Sequence, residues 1–365
     1  MVMILLLVLS LAATLCAAKP MAIYQALSRQ HFGRVIGGTN AEQGQYPFAA
    51  FLMIRDGDET AFCGGSIISN QWIMTAGHCV VNTNSHGNSL NVSIPITKDH
   101  PRSLAERKKK SKYPMVKAKN IRVGVGNVYN AHSTPYHVSK VHVHPDLNLD
   151  YFDNDIALIK LSKKLKFSTH VQPVKIDTDS IPDGLTVTGI GWGKTSLDSQ
   201  TTSDVLQAVD LQTGNTELCK KVRGEFDSND GDYICVTTPN GRDTCSGDSG
   251  SPLLRRCNAN PAQSGSAGSG PWVQLGITSY GDNASRDTRM ICAAPDGAGF
   301  YTHAARYLDF IKKTTGIKSL AASCNGNELV TARSSSAPSS SKQPPAMTLL
   351  CSVALILVAA FPFIL

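Results

Sequence analysis

Asp243-Thr244-Cys245-Ser246-Gly247-Asp248-Ser249-Gly250-Ser251-Pro252 is a short loop with two acids, a cysteine and a serine set among glycines. A serine hydroxyl is a poor nucleophile at neutral pH, so the loop means little unless a base and an orienting acid stand elsewhere in the chain. Both are present. Thr75-Ala76-Gly77-His78-Cys79 holds a histidine beside a cysteine, and Asn154-Asp155-Ile156-Ala157-Leu158-Ile159-Lys160-Leu161 opens an apolar run with an aspartate. The three candidates follow one another as His78, Asp155 and Ser249.

Working outward, short alternating or β-branched runs at 49–54, 66–74, 121–125 and 138–143 are separated by Gly, Asn and Pro. A second set lies at 185–192, 204–211, 232–236, 251–254, 272–280 and 299–302. Such spacing predicts an all-β barrel architecture, with residues 162–175 joining two halves. Tyr307, Phe310 and Ile311 have helical spacing within 304–315 and predict a closing helix.

A fourth motif, Arg34-Val35-Ile36-Gly37-Gly38, agrees with the other three. On these four the chain resembles the trypsin-like, chymotrypsin-fold serine proteases from about Val35 to Ile317. The resemblance implies two six-stranded Greek-key β-barrels with the active site between them and a C-terminal α-helix. It implies Ser249 as nucleophile, His78 as its base and Asp155 as the group fixing the histidine tautomer. Gly247 and Ser249 are expected to donate backbone amides to an oxyanion, glycine permitting the backbone conformation at 247. Asp243 is expected to floor a pocket for Lys or Arg side chains, walled by Ser279, Gly281 and Gly299. Cleavage after Arg34 is expected to free the Val35 amine to pair with Asp248, a switch made by a buried ion pair. Four positions depart from the family pattern without removing a reacting group: Val35, Gly77, Ser251 and Tyr280.

The ends read as processing signals. Residues 1–15 are nearly all apolar and are followed by Cys16-Ala17-Ala18, the pattern of a secretory signal over 1–18, with a membrane anchor as the alternative. Residues 19–34 then form an activation pro-segment and 35–323 the protease domain, with insertions at about 82–119 and 258–271. Residues 324–346 are a Ser/Pro-rich spacer and 347–365 an apolar tail. Together these match a glycosylphosphatidylinositol signal with attachment among 334–340, a retained tail-helix being the alternative. The expected location is the secretory pathway and the outer face of the plasma membrane, or release from the cell.

The chain has ten cysteines, of which Cys16 and Cys351 leave with the two end segments. Secretion makes the remaining eight a disulfide framework. The resemblance implies Cys63–Cys79, Cys219–Cys235 and Cys245–Cys292. The family's usual partner for Cys257 is replaced by Val187, and a bridge between Cys257 and Cys324 is expected instead. Asn91 and Asn283 open glycosylation sequons.

The formal charge of +7 is local: residues 98–122 hold ten Lys and Arg against Asp99 and Glu106, a surplus of 8. This stretch reads as a solvated loop, a self-cleavage site or a surface for acidic partners. No aromatic-supplemented basic face or nucleic-acid module accompanies it. No cofactor is expected, nor a metal, since no Asp or Glu occurs from 107 to 145 and His142 and His144 have no third ligand in the sequence. The expected partners are therefore peptides with Arg or Lys before the scissile bond, an activating protease and a lipid anchor. A catalytically silent binding or inhibitor module on the same fold is the rival reading.

Overall fold

A computed structural model describes residues 35–57, 59–82, 113–238, 241–257, 270–285 and 292–324. The two end segments, Arg34, most of the basic insertion with Asn91, and the Gly/Ser-rich insertion at 258–269 lie outside the described residues.

Fifteen strands are described. β1 (Thr39–Asn40) precedes six that close on themselves: β2 (Ala49–Asp56), β3 (Glu59–Ile67), β4 (Trp72–Thr75), β5 (Ile121–Val125), β6 (Thr134–Val143) and β7 (Ala157–Leu161). Their hydrogen-bonded order is β2-β3-β4-β7-β6-β5. Alternation drives this closure. Ala50, Leu52 and Ile54 of β2 and Ile121, Val123 and Val125 of β5 turn inward and are buried, each large side chain stabilising the fold by about 1.5–3 kcal/mol. The run expected at 66–74 divides into the end of β3 and all of β4. A turn through Ser69-Asn70-Gln71 separates them, and Ile68 N donates to Trp72 O at 3.0 Å.

The second half is a sheet of nine strands ordered β1-β10-β9-β12-β13-β14-β11, with β8 added beside β13 and β15 beside β8. Its six longer members are β9 (Thr186–Gly191), β10 (Gln207–Gln212), β11 (Tyr233–Thr237), β12 (Pro252–Arg256), β13 (Trp272–Asn283) and β14 (Gly297–His303). β1, β8 (Lys175–Asp177) and β15 (Ala321–Ala322) are short additions. Two α-helices among the described residues accompany the sheets. α1 (Thr216–Val222) starts where Asn215 Oδ1 accepts from Glu217 N, the usual chemistry of an N-cap. α2 (Leu308–Thr315) stops at Gly316, whose φ of 74° allows the left-handed C-terminal turn. The fold class is thus the expected one, all-β with a C-terminal helix.

The two halves share a buried cluster, in which Leu52, Ile73 and Leu158 of the barrel join Trp192, Leu254, Ile277 and Ile311. Trp192 Nε1 also donates to Val128 O at 2.8 Å, a buried bond between halves. Among the described residues four disulfides are formed: Cys63–Cys79, Cys219–Cys235, Cys245–Cys292 and Cys257–Cys324. The last fixes β15 where it runs parallel to β8. The ends of the basic insertion are held together, Asn82 N donating to Pro114 O and Val116 N to Val80 O.

Candidate active site

His78 follows β4 in a single 3₁₀ turn, His78–Val80, and the Cys63–Cys79 disulfide ties that turn to β3. Asp155 stands just ahead of β7. Its side chain is fully buried, and a bare carboxylate there would carry a heavy desolvation cost. Donors answer that cost. His78 Nδ1 lies 2.8 Å from Oδ2, the His78 backbone N donates to Oδ1 at 2.8 Å, and Ser279 Oγ donates to Oδ2 at 2.5 Å. Burial pushes the Asp155 carboxyl upward, but the His78 charge and these hydrogen bonds outweigh it and hold the group below its ordinary value. Thr302 Oγ1 donates to Asp155 O at 3.0 Å. The acid of the first half is thereby received by β13 and β14 of the second.

Ser249 lies in the turn before β12, half-buried. Its carbonyl accepts from Gly64 N at 2.7 Å and sits 3.6 Å from Cys79 Sγ, which brings the serine beside the histidine turn. The Ser249 hydroxyl makes no hydrogen bond to the His78 ring here. Gly247 has φ 98°, and a Cβ at that position would stand 2.8 Å from Thr202 Cγ2 and 3.0 Å from Gly193 Cα. Only glycine fits both constraints. The N–H groups of Gly247 and Ser249 donate to no acceptor among the described residues. Ser251, the departure two residues on, lies over Gly64: its Oγ would be 1.8 Å from a Cβ on that glycine.

Asp243 is buried, and Oδ2 accepts from Ala293 N at 2.9 Å. Oδ1 has no partner among the described residues. It faces Gly299, where a Cβ would be 3.2 Å away, and Gly299 pairs with Gly281 across β13 and β14. Burial pushes the Asp243 carboxyl up to about 7, backbone donors oppose this and the Asp248 charge adds to it. Ser279, expected as a pocket wall, has its hydroxyl committed to Asp155, leaving only its backbone for a ligand.

Asp248 is fully buried and accepts from Gly193 N at 2.7 Å and Cys245 N at 2.8 Å. Burial pushes it, too, up to about 7. Gly191 and Gly193 make room for it, since a Cβ on either would fall within 2.1–2.6 Å of its carboxylate. Val35 is fully buried in a cluster with Val187, Val209 and Leu253, and Ile36 bridges to Asp243 through Asp243 N and Ile36 O at 3.1 Å. His142 packs against Trp72, whereas His144 packs against Tyr307 and Phe310. Asn283 is buried with Oδ1 accepting from Ser285 Oγ, so a glycan there would have to be added before the chain closes around it.

Sequence reasoning missed the surroundings of the histidine. Phe152 meets the His78 ring edge to face at 5.8 Å and stacks on Tyr280 at 4.8 Å. Arg223, at the C-terminal end of α1, reaches Asp153 and Tyr280. Tyr280 stands out in the sequence only as a departure from the family pattern, and no motif marks Phe152, Asp153 or Arg223, which reach it in β13 from two other segments.

The Trypsin family model matches residues 35–118 and 112–311. Among curated proteins, the mannan-binding lectin serine protease 1 of Rattus norvegicus is 26% identical over 310 residues, covering 84% of this chain and 39% of that protein. Its counterpart from Mus musculus is 26% identical over 314 residues, with the same coverage. That of Homo sapiens is 25% identical over 312 residues, again covering 84% of this chain and 39% of the relative. The chain thus spans about two fifths of the length of these relatives.

Proposed function

Because the chain belongs to the trypsin family of serine proteases, we propose that it is an active endopeptidase that cuts after Arg or Lys and is made as a zymogen. The observation carrying this reading is the buried Asp155 carboxylate bonded twice to His78 on the turn beside Ser249. With Nδ1 donating to an ionised Asp155, the ring's proton is on Nδ1 and Nε2 is free to act as base. Ser249 Oγ attacks the carbonyl carbon of the substrate while Nε2 takes its proton. His78 then returns that proton to the leaving amine, and water repeats the sequence on the acyl-enzyme. Asp155 stabilises the imidazolium that forms between these steps. The amides of Gly247 and Ser249 receive the negative oxygen; losing one such donor typically costs about 100-fold or more in rate.

The pocket assignment draws on the same logic. A buried carboxylate with one unpartnered oxygen facing two glycines suits a long cationic side chain, which would satisfy the oxygen and favour the ionised form. Asp248 is a second buried acid without a counter-charge among the described residues. A free Val35 ammonium produced by cleavage at Arg34 supplies one. We further read residues 1–18 as a secretory signal, 19–34 as the pro-segment and the C-terminal tail as a lipid-anchor signal, which places the enzyme outside the cell.

The test is hydrolysis of matched peptides ending in Arg, Lys, Phe or Val by residues 19–324, before and after an added protease cuts at Arg34, with Ser249→Ala as control. Activity that appears on cutting, favours Arg and Lys and vanishes in the variant supports the reading. Silence after verified cleavage and disulfide formation sinks it in favour of a binding module.

A further inference from the structure

The turn that delivers Asp155 to His78 contains two non-glycine residues in the left-handed region, Phe152 and Asn154, both at φ 54°. Asparagine tolerates that conformation. Phenylalanine does not, and a bulky residue persists there only where its surroundings over-determine it. Asn154 is fixed within the first half and by the closing helical segment: Nδ2 donates to Asp146 O at 2.9 Å and Oδ1 accepts from Tyr307 at 3.3 Å. Phe152 is fixed by the second half. Its ring lies against Tyr280, which stacks in turn on Phe300 at 5.0 Å.

One side chain joins the 151–153 stretch of this turn to the stacked Tyr280 ring. Arg223 Nη1 donates to Tyr151 O at 3.0 Å and to the Tyr280 hydroxyl, and Nη2 donates to Asp153 Oδ1 at 3.1 Å. Its guanidinium sits over the Tyr233 ring at 4.1 Å, and the Tyr233 hydroxyl donates to the same Asp153 oxygen at 2.5 Å. Arg223 thus holds the residues on both sides of Phe152 and also the ring against which Phe152 rests. The guanidinium is largely buried, with its side chain 11% exposed, so water cannot substitute for these contacts. A planar fork can serve three acceptors in fixed directions, whereas a lysine ammonium is a point charge without that geometry.

We propose that Arg223 is a positioning residue for the peptide-bond reaction: from the second half of the molecule it sets the turn at 151–154 and, through Tyr280 and Phe152, the placement of the His78 ring. This rests on the serine-protease reading, because it assigns Arg223 a role in presenting the base.

The test uses protein cut at Arg34, with wild type, Arg223→Met, Arg223→Lys and Tyr280→Phe titrated by a fluorophosphonate so that kcat is expressed per reactive serine. A purely structural role lowers the fraction of reactive sites and leaves kcat per site alone. Positioning lowers kcat per site. Misplacement of reacting groups by about 1 Å costs about 100-fold, so Arg223→Met should lose about 100-fold in kcat with KM within about threefold of wild type. Arg223→Lys should recover part of that loss. Should Arg223→Met fail to fold, Tyr280→Phe, which keeps the stacked ring and removes one acceptor, should still lose about three- to tenfold. A kcat per site within twofold of wild type in whichever of these two variants folds overturns the proposal while leaving the protease reading intact. A wild type that neither labels nor hydrolyses overturns both.

Discussion

Asp243→Asn removes one charge and almost no volume from the floor of the candidate pocket, and its two consequences run in opposite directions. In the free protein, burial raises this carboxyl from 3.8 to about 7, roughly three pKa units or on the order of 4 kcal/mol for the ionised form. Over that interval the folded chain keeps a proton that the unfolded chain has lost. Stability linked to Asp243 is therefore fully present below about pH 4 and is lost as the pH rises through about 7. Asparagine does not titrate. In a Ser249→Ala background, urea unfolding should give wild-type and Asp243→Asn stabilities that agree to within about 1 kcal/mol at pH 4 and separate above it. At pH 8 the variant should be the more stable by up to about 4 kcal/mol. Asp248 titrates over the same range, and because its charge acts on Asp243 the difference between the two proteins includes that coupling.

The cost of Asp243→Asn falls on activity. Removing one member of a buried charge pair costs about 2–5 kcal/mol, so hydrolysis of Arg and Lys substrates in the Ser249-intact enzyme should drop at least about 30-fold in kcat/KM. Uncharged substrates should change far less. Parallel pH profiles of stability, or a variant less stable than wild type at pH 8, would refute the reasoning about this pocket.

Asp155→Asn places an amide where three donors converge, so His78 loses the acceptor that fixes its tautomer; kcat should fall by about 10⁴-fold with KM little altered, as steady-state kinetics will read. Gly77→Ala would bring a Cβ to 3.2 Å from Asp155 Oδ1 and from the Leu147 methyls. Its backbone is already α-helical at φ −65°, which alanine prefers, so calorimetry should show a net change within about 1 kcal/mol. Cys257 and Cys324 close a loop with a sequence separation of 67; replacing both by serine should lower the unfolding free energy by up to about 4 kcal/mol and leave kcat unchanged, since neither lies in the candidate site.

Features that depend on local chemistry were legible. Alternating apolar runs marked β2, β4, β5 and β6 of the barrel but only the end of β3, Tyr307, Phe310 and Ile311 marked α2, and short motifs singled out His78, Asp155, Ser249, Asp243 and Asp248 as candidates. Features that depend on long-range fit were not. β1, β8 and β15 hold only two or three residues each, too few for any period to register. α1 has seven residues and is announced only by Asn215. The second role of Ser279 in β13, as a donor to Asp155, and the reach of Arg223 across to the 151–154 turn join segments that no spacing in the chain connects. Ser251 illustrates the middle case. Its departure from the family glycine is visible in the sequence, but the place of its hydroxyl, lying over Gly64, needs the fold.

The central claim is that Ser249 is a nucleophile made reactive by the His78–Asp155 pair. Its most direct test is to treat the Arg34-cut protein with a fluorophosphonate and locate the adduct by mass spectrometry. The account predicts one adduct per chain, on Ser249, absent from the uncut precursor and from His78→Ala. Labelling that is equal in His78→Ala, or an adduct on any other residue, would contradict it.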